Sequence, residues 1–217
     1  MNIITIVSCG PGALSYVTEA AYHAVAHAEV LVGAPRLLAM FPQSTAQPYA
    51  VGADIAAVLD IIEEQAKQYK VAVLVTGDAG LHSLATHVIR RFGRQHCHII
   101  PGISSVQVAF AKLGLEWINA YVVSAHGVMP QLTCESLQYY ERIAILGGGK
   151  KTLPWVSQAV HALKNTHTSF ICQNLTLPNE MVAECSESNL KNLQSSDLTI
   201  IVLVKKALLE THLEGTE

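Results

Sequence analysis

An α/β fold in two halves is predicted from three features of the sequence. Short apolar, β-branched runs alternate with amphipathic helical stretches, the pattern of a parallel sheet covered by helices. Three of those runs end in glycine-bearing turns, Ser8-Cys9-Gly10-Pro11-Gly12, Thr76-Gly77-Asp78-Ala79-Gly80 and Pro101-Gly102-Ile103-Ser104-Ser105. The last strands of the chain are separated by short turns, which predicts a mixed sheet in the second half. The boundary is placed near Leu115 to Ala120, giving domains 1–117 and 118–217.

Ile3 to Val7 is a continuous apolar run, read as the first strand. An alanine-rich helix is expected from about Tyr16 to Ala28, a strand over Val30–Val32 closed by Gly33, and a short helix from Pro35 through Met40. Asp54 to about Tyr69 is amphipathic, with Ile55, Val58, Leu59, Ile61 and Ile62 on the core face. Val71–Val75 is a buried strand, followed by a helix over Ser83–Arg91, a strand over His98–Ile100 and a helix to Lys112. In the second half, strands are predicted near Tyr121–Ser124, Ile143–Leu146, Thr168–Cys172, Val182–Glu184 and Leu198–Val204. Helices are predicted over Cys134–Tyr140, Leu153–Leu163 and Glu187–Leu193.

Composition narrows the function. Of 217 residues 50% are apolar and 14% charged, enough to bury a core and too apolar for disorder. The formal charge of −3 argues against a nucleic-acid partner, which calls for a basic surface. The five cysteines are odd in number and far apart, the usage of reduced thiols in a cytoplasmic protein. The first eight residues lack a basic leader region, and no apolar run approaches a membrane-spanning length.

In open α/β sheets ligands bind outside the carboxyl ends of the strands, where the three glycine turns sit. The first is not a dinucleotide fingerprint, because Pro11 removes a backbone donor and no G-x-G-x-x-G opens into a helix. No phosphate loop of the G-x-x-x-x-G-K-[ST] kind occurs either, so a ligand without phosphates suits these turns better. Each turn taken singly also fits a plain structural connection, and Asp78 alone fits a helix N-cap. Their combination carries the functional reading.

The set and order of motifs resemble the S-adenosylmethionine (SAM)-dependent tetrapyrrole methylase family. The likeness runs through Gly10-Pro11-Gly12, Val32-Gly33-Ala34-Pro35-Arg36-Leu37-Leu38, Val75 to Leu84 and Ile100 to Gln107. Four stretches resemble the members that methylate C5 of a corrin precursor: Pro101–Gln107, Val123–Gly127, Lys151–Val156 and Gln173–Glu180. The resemblance implies two α/β domains with SAM in a cleft between them, and a homodimer. It implies cofactor contacts from Gly10, Pro11, Gly12, Gly77, Asp78, Leu81, Ser104 and Ser105, and from Val123, Ser124, Asn174 and Leu175 in the second half. It also implies a separate enzyme for methylation and decarboxylation at C15, since the chain is too short to contain one. The sequence departs from the family twice. The family's Gly-Asp-Pro is Gly77-Asp78-Ala79, and its Glu-Asn-Leu-Gly-Tyr-Pro is Gln173-Asn174-Leu175-Thr176-Leu177-Pro178.

Methyl transfer from a sulfonium to an electron-rich ring carbon needs alignment more than a strong base. No compact triad is expected, and His126 beside Gly127 is the candidate for accepting the proton lost from the methylated carbon, beside its alternative as a strand-end histidine. Arg36, Lys150 and Lys151 are candidates for the acetate and propionate groups of the substrate, although each singly reads as solvated surface. No protein-bound metal is expected: in a strand His96 and His98 share a face and Cys97 does not. The competing readings are methylation at another ring carbon, an RNA or diphthine methylase, a non-catalytic SAM- or tetrapyrrole-binding module, and an NAD-type oxidoreductase.

Overall fold

The computed structural model describes residues 1–125, 129–147, 152–186, 190 and 198–210. Packing divides the chain into two units, Met1–Ser105 and Val106–Glu217. The helix Ser105–Lys112 starts at the division, with Ser105 in the first unit and its other residues in the second.

The first unit is a five-stranded parallel sheet of β1 (Ile4–Ser8), β2 (Val30–Gly33), β3 (Gln47–Ala50), β4 (Val71–Val75) and β5 (Cys97–Ile100). The spatial order is β3-β2-β4-β1-β5. β4 is buried along its whole length and β1 nearly so, the result of their unbroken β-branched runs. On one face lie α1 (Glu19–Ala26) and α2 (Pro35–Leu38), packed on Val7, Leu31 and Leu74. On the other lie α3 (Ile55–Ala66) and α4 (Ala85–Phe92), packed on Ile4, Ile6, Val32 and Val73.

Caps set the helix starts. Thr18 Oγ1 accepts Ala21 N at 3.2 Å, so α1 begins at Glu19, with a 3-10 turn over Leu14–Tyr16 where the sequence reading placed helix. Asp54 Oδ1 caps α3 through Ala57 N. The sequence reading has no strand at β3. That short edge strand contains Pro48 and is largely exposed, so neither alternation nor a buried run marks it.

α5 (Ser105–Lys112) opens the second unit from Val106 onward. The sheet of this unit combines β6 (Tyr121–Ser124), β7 (Arg142–Leu146), β8 (His167–Gln173), β9 (Met181–Glu184) and β10 (Thr199–Lys205), in the order β6-β7-β10-β8-β9. β6 and β7 pair in parallel and the other pairs are antiparallel, so the sheet is mixed as expected. α6 (Leu153–Leu163) has the bounds read from the sequence and buries Trp155, Val156, Ala159, Val160 and Leu163. Cys134–Tyr139 is a 3-10 helix capped by Thr133. Of the helix predicted over 187–193, only Leu190 is among the described residues. α7 (Lys206–Glu210) follows β10.

His167 makes this unit sensitive to acid. It is 2% exposed, its Nε2 donates to Tyr140 O at 2.9 Å, and burial holds its pKa below the ordinary 6.5. The unfolded chain therefore takes up the proton before the folded one does. The stability that neutral His167 contributes is intact above about pH 6.5 and is lost as the pH falls towards the folded pKa. Thermal melts between about pH 7 and 5 are expected to show a steeper fall in Tm for the parent chain than for His167→Gln. Equal slopes would refute this.

Candidate functional site

The strand order places a switch point between β1 and β4. From β1 the chain passes over α1 to β2 on one side, and from β4 it passes over α4 to β5 on the other. α1 and α4 lie on opposite faces, so the chain runs from β1 and from β4 towards opposite faces of the sheet, the arrangement at whose strand ends ligands bind in open α/β sheets. Gly10 and Gly77 face each other there as an isolated bridge: Gly77 N donates to Gly10 O at 2.8 Å and Gly10 N to Gly77 O at 3.2 Å. Both have positive φ, +70° and +68°. A Cβ on Gly10 would lie 2.7 Å from Tyr16 O, whereas one on Gly77 would meet nothing nearer than Ser105 N at 3.8 Å. At Gly77 the glycine thus leaves room beside Ser104 and Ser105.

Asp78 binds the second turn to the third. Its Oδ1 accepts Gly80 N at 2.8 Å and its Oδ2 accepts Gly102 N at 2.9 Å. Gly102 is backed against β1, because a Cβ there would stand 2.5 Å from Ser8 Cβ. Ser83 Oγ donates to Ala79 O at 2.6 Å and accepts Ala85 N at 3.1 Å, tying the second turn to the start of α4. Ser104 is buried and Ser105 half-buried, as is Leu81.

The structure brings Arg36 to the same place. Its guanidinium is half-buried and donates to Thr76 Oγ1 at 3.0 Å, immediately before Gly77. Burial lowers its pKa, with the neighbouring Cys9 acting in the opposite direction. Cys9 is buried and its thiol is pushed up to about 12, so it stays neutral and is no nucleophile. Gly10, Pro11, Gly12, Gly77, Asp78, Leu81, Ser104, Ser105 and Arg36 therefore gather at one end of one sheet. Ser8, Thr76 and Gly102 belong with them; the sequence places them in the three turns but gives them no role of their own. Their partners are up to 71 residues away in the chain, which no local pattern reports.

In the second unit the predicted residues also share one sheet end. Ala125 N donates to Leu146 O, Gly147 N to Thr199 O and Asn174 N to Leu198 O. The exits of β6, β7 and β8 are thus in one row, with Val123 and Leu175 buried and Ser124 and Asn174 half-buried. Thr176 has φ +70°, a conformation that strains a β-branched residue, at the position where the family pattern has glycine. Glu180 steadies that turn: its Oε2 accepts Thr176 N at 2.6 Å and its Oε1 pairs with Lys112 at 2.7 Å. Lys112 and Thr176 N hold the Glu180 carboxyl below its usual range. His126, Lys150 and Lys151 lie outside the described residues.

A recess of about 590 Å³ lies beside α1, against the first residues of β1 and β4 and against His98 and Ile100 of β5, and shares no residue with the three turns. Among the described residues, no group of three or more His, Cys, Asp or Glu side chains could hold a metal ion. Nor is any helix among them long and apolar enough to cross a membrane.

Residues 4–191 match the family described as Tetrapyrrole (Corrin/Porphyrin) Methylases. A cobalt-precorrin-7 C(5)-methyltransferase of Salmonella typhimurium is 29% identical over 181 residues, which span 83% of this chain and 89% of that protein. The crystal structure of a cobalamin biosynthesis precorrin-6Y methylase from Archaeoglobus fulgidus superposes with a TM-score of 0.73 at 26% identity, covering 94% of this chain and 97% of the other. A Thermus thermophilus uroporphyrin-III C-methyltransferase complexed with S-adenosylhomocysteine has the same fold, with a TM-score of 0.76 at 16% identity and coverage of 96% and 100%.

Proposed function

The chain belongs to the tetrapyrrole methylase family, and on that premise we propose that it transfers a methyl group from SAM to C5 of cobalt-precorrin-7 in cobalamin biosynthesis. The observation that carries this reading is the convergence of three turns on two facing glycines at the β1/β4 switch point. The turns suit a nucleoside without phosphates. Gly77 leaves space beside Ser104 and Ser105, and Pro11 offers no backbone donor to a phosphate. Likeness to the Salmonella and Archaeoglobus proteins supports the choice of a corrin precursor, and likeness to the Salmonella protein that of C5.

When bound, the cofactor supplies a methyl group on a sulfonium, an electrophile whose leaving group is neutral. The chain has to align the two reactants and keep water out. Alignment of this kind is worth roughly 7–11 kcal/mol of barrier. The cross-bonded turns provide it, since their backbone groups are already held by Asp78 and by the Gly10–Gly77 bridge. Arg36 presents a fixed cation at the rim for an acetate or propionate of the substrate. Ser124, Asn174 and Leu175 are further cofactor-binding residues in this reading, Lys150 and Lys151 bind further carboxylates, and His126 takes the proton released after methylation. In this reading the enzyme works in the cytoplasm as a homodimer, beside a separate enzyme that methylates and decarboxylates at C15.

The test is incubation with cobalt-precorrin-7 and SAM carrying a ¹³C-methyl group, with the product examined by NMR. Label at C5 is the expected result. Label at C11, C17 or C20 would move the reaction to another carbon, and binding of S-adenosylhomocysteine with no transfer would leave a binding module. In the same assay, His126→Ala is expected to lower turnover while S-adenosylhomocysteine still binds; unchanged turnover would remove His126 from the chemistry.

A further inference from the structure

Ser8 ends β1 and has no exposed surface. Its Oγ accepts a hydrogen bond from Ala79 N at 2.9 Å, across 71 residues of chain. Ala79 is itself only 3% exposed, and a buried N–H without an acceptor is costly. The same Ser8 lies against the third turn, since its Cβ and carbonyl oxygen are what a side chain on Gly102 would strike.

Ala79 is the second residue of a turn in which Leu81 N donates to Asp78 O at 3.2 Å and Asp78 Oδ1 accepts Gly80 N. Aspartate favours the first position of such a turn and proline the second, where its fixed φ suits the backbone. Proline is also what the family pattern has at this point. A proline would stiffen the turn and carry no N–H. Alanine does neither, so the turn needs an outside restraint and an acceptor for one buried donor. Ser8 Oγ supplies both.

We infer that Ser8 is a positioning residue for the cofactor-binding turns: its hydroxyl takes over, through the bond to Ala79 N, the restraint that a proline at position 79 would impose on the Gly77–Gly80 turn. The inference rests on the reading of those turns as the SAM site. Ser8 touches no reacting group. It acts by fixing Gly77 and Asp78 relative to β1, and through Asp78 the turn that carries Gly102.

The experiment is a double-mutant cycle over Ser8→Ala and Ala79→Pro, read by calorimetry with S-adenosylhomocysteine and by thermal melting. In the parent chain, Ser8→Ala is expected to weaken S-adenosylhomocysteine about tenfold, the usual consequence of orphaning one buried donor. In the A79P background the donor is gone and the proline Cδ stands where the hydrogen met Ser8 Oγ, so the same Ser8→Ala change is expected to cost nothing or to improve binding. An equal loss in both backgrounds would overturn the inference. So would a lowered Tm with unchanged affinity, which would make Ser8 structural only, or a double variant (S8A with A79P) that does not fold, because the turn would then not accept proline even with the Ser8 hydroxyl removed. A parent chain that does not bind S-adenosylhomocysteine would refute the SAM reading instead. The cycle would then be read in Tm, where dependence of the Ser8→Ala loss on Ala79 supports the exchange of hydrogen bond for proline and independence overturns it.

Discussion

Gly102→Ala is expected to weaken S-adenosylhomocysteine by ten- to a hundredfold while the protein still folds. The added Cβ would stand 2.5 Å from Ser8 Cβ, 3.1 Å from Gly77 O and 3.2 Å from Ser8 O. Two of those three atoms are backbone, in a buried strand end and in the bridge that joins the first two turns, so they cannot swing aside. The third turn has to move instead. Overpacking of this kind costs about 1–3 kcal/mol, which sets the range. Most of it falls on the turns and little on the core, because Gly102 lies in a turn outside the three clusters of buried side chains. Calorimetry beside a thermal melt separates the two. Affinity within twofold of the parent would show that the third turn does not shape the ligand site.

Asp78→Asn is expected to lower the same affinity by about tenfold or more, with Asp78→Ala no more than a few-fold worse. Asp78 uses both carboxylate oxygens as acceptors, Oδ1 for Gly80 N and Oδ2 for Gly102 N. Asparagine keeps one oxygen and turns an amide NH₂ towards the other donor, so one bond is lost and a donor faces a donor. The expected signature is faster hydrogen exchange at the Gly80 or Gly102 amide. Unchanged protection at both amides, with weakened affinity, would mean that Asp78 acts on the ligand directly and not by joining the turns.

The glycine turns were legible in the sequence because each is a local event. An apolar run stops, and residues tolerating positive φ or a tight turn follow, as at Gly10 and Gly77. Among the described residues, the pattern of runs also placed nine of the ten strands and the bounds of α6, whose apolar residues recur at helical spacing. β3 escaped because an exposed edge strand of four residues with a proline has no burial to record. The start of α1 escaped because the cap at Thr18 outweighs the helical preference of the residues before it.

What the sequence determined by itself is therefore the α/β class, the turns and, through the order of its motifs, the family. These follow from interactions between residues close in the chain, which leave a periodic or contiguous trace. Tertiary structure alone decided what the turn residues do to one another. That Asp78 joins the second turn to the third, that Ser8 answers the N–H of Ala79, and that Arg36 reaches Thr76 depend on β2, β4, β1 and β5 lying side by side. Hydrogen bonds across 24, 71 and 40 residues are set by how the sheet is assembled, and a buried donor shows its need for an acceptor only once water has been excluded from it.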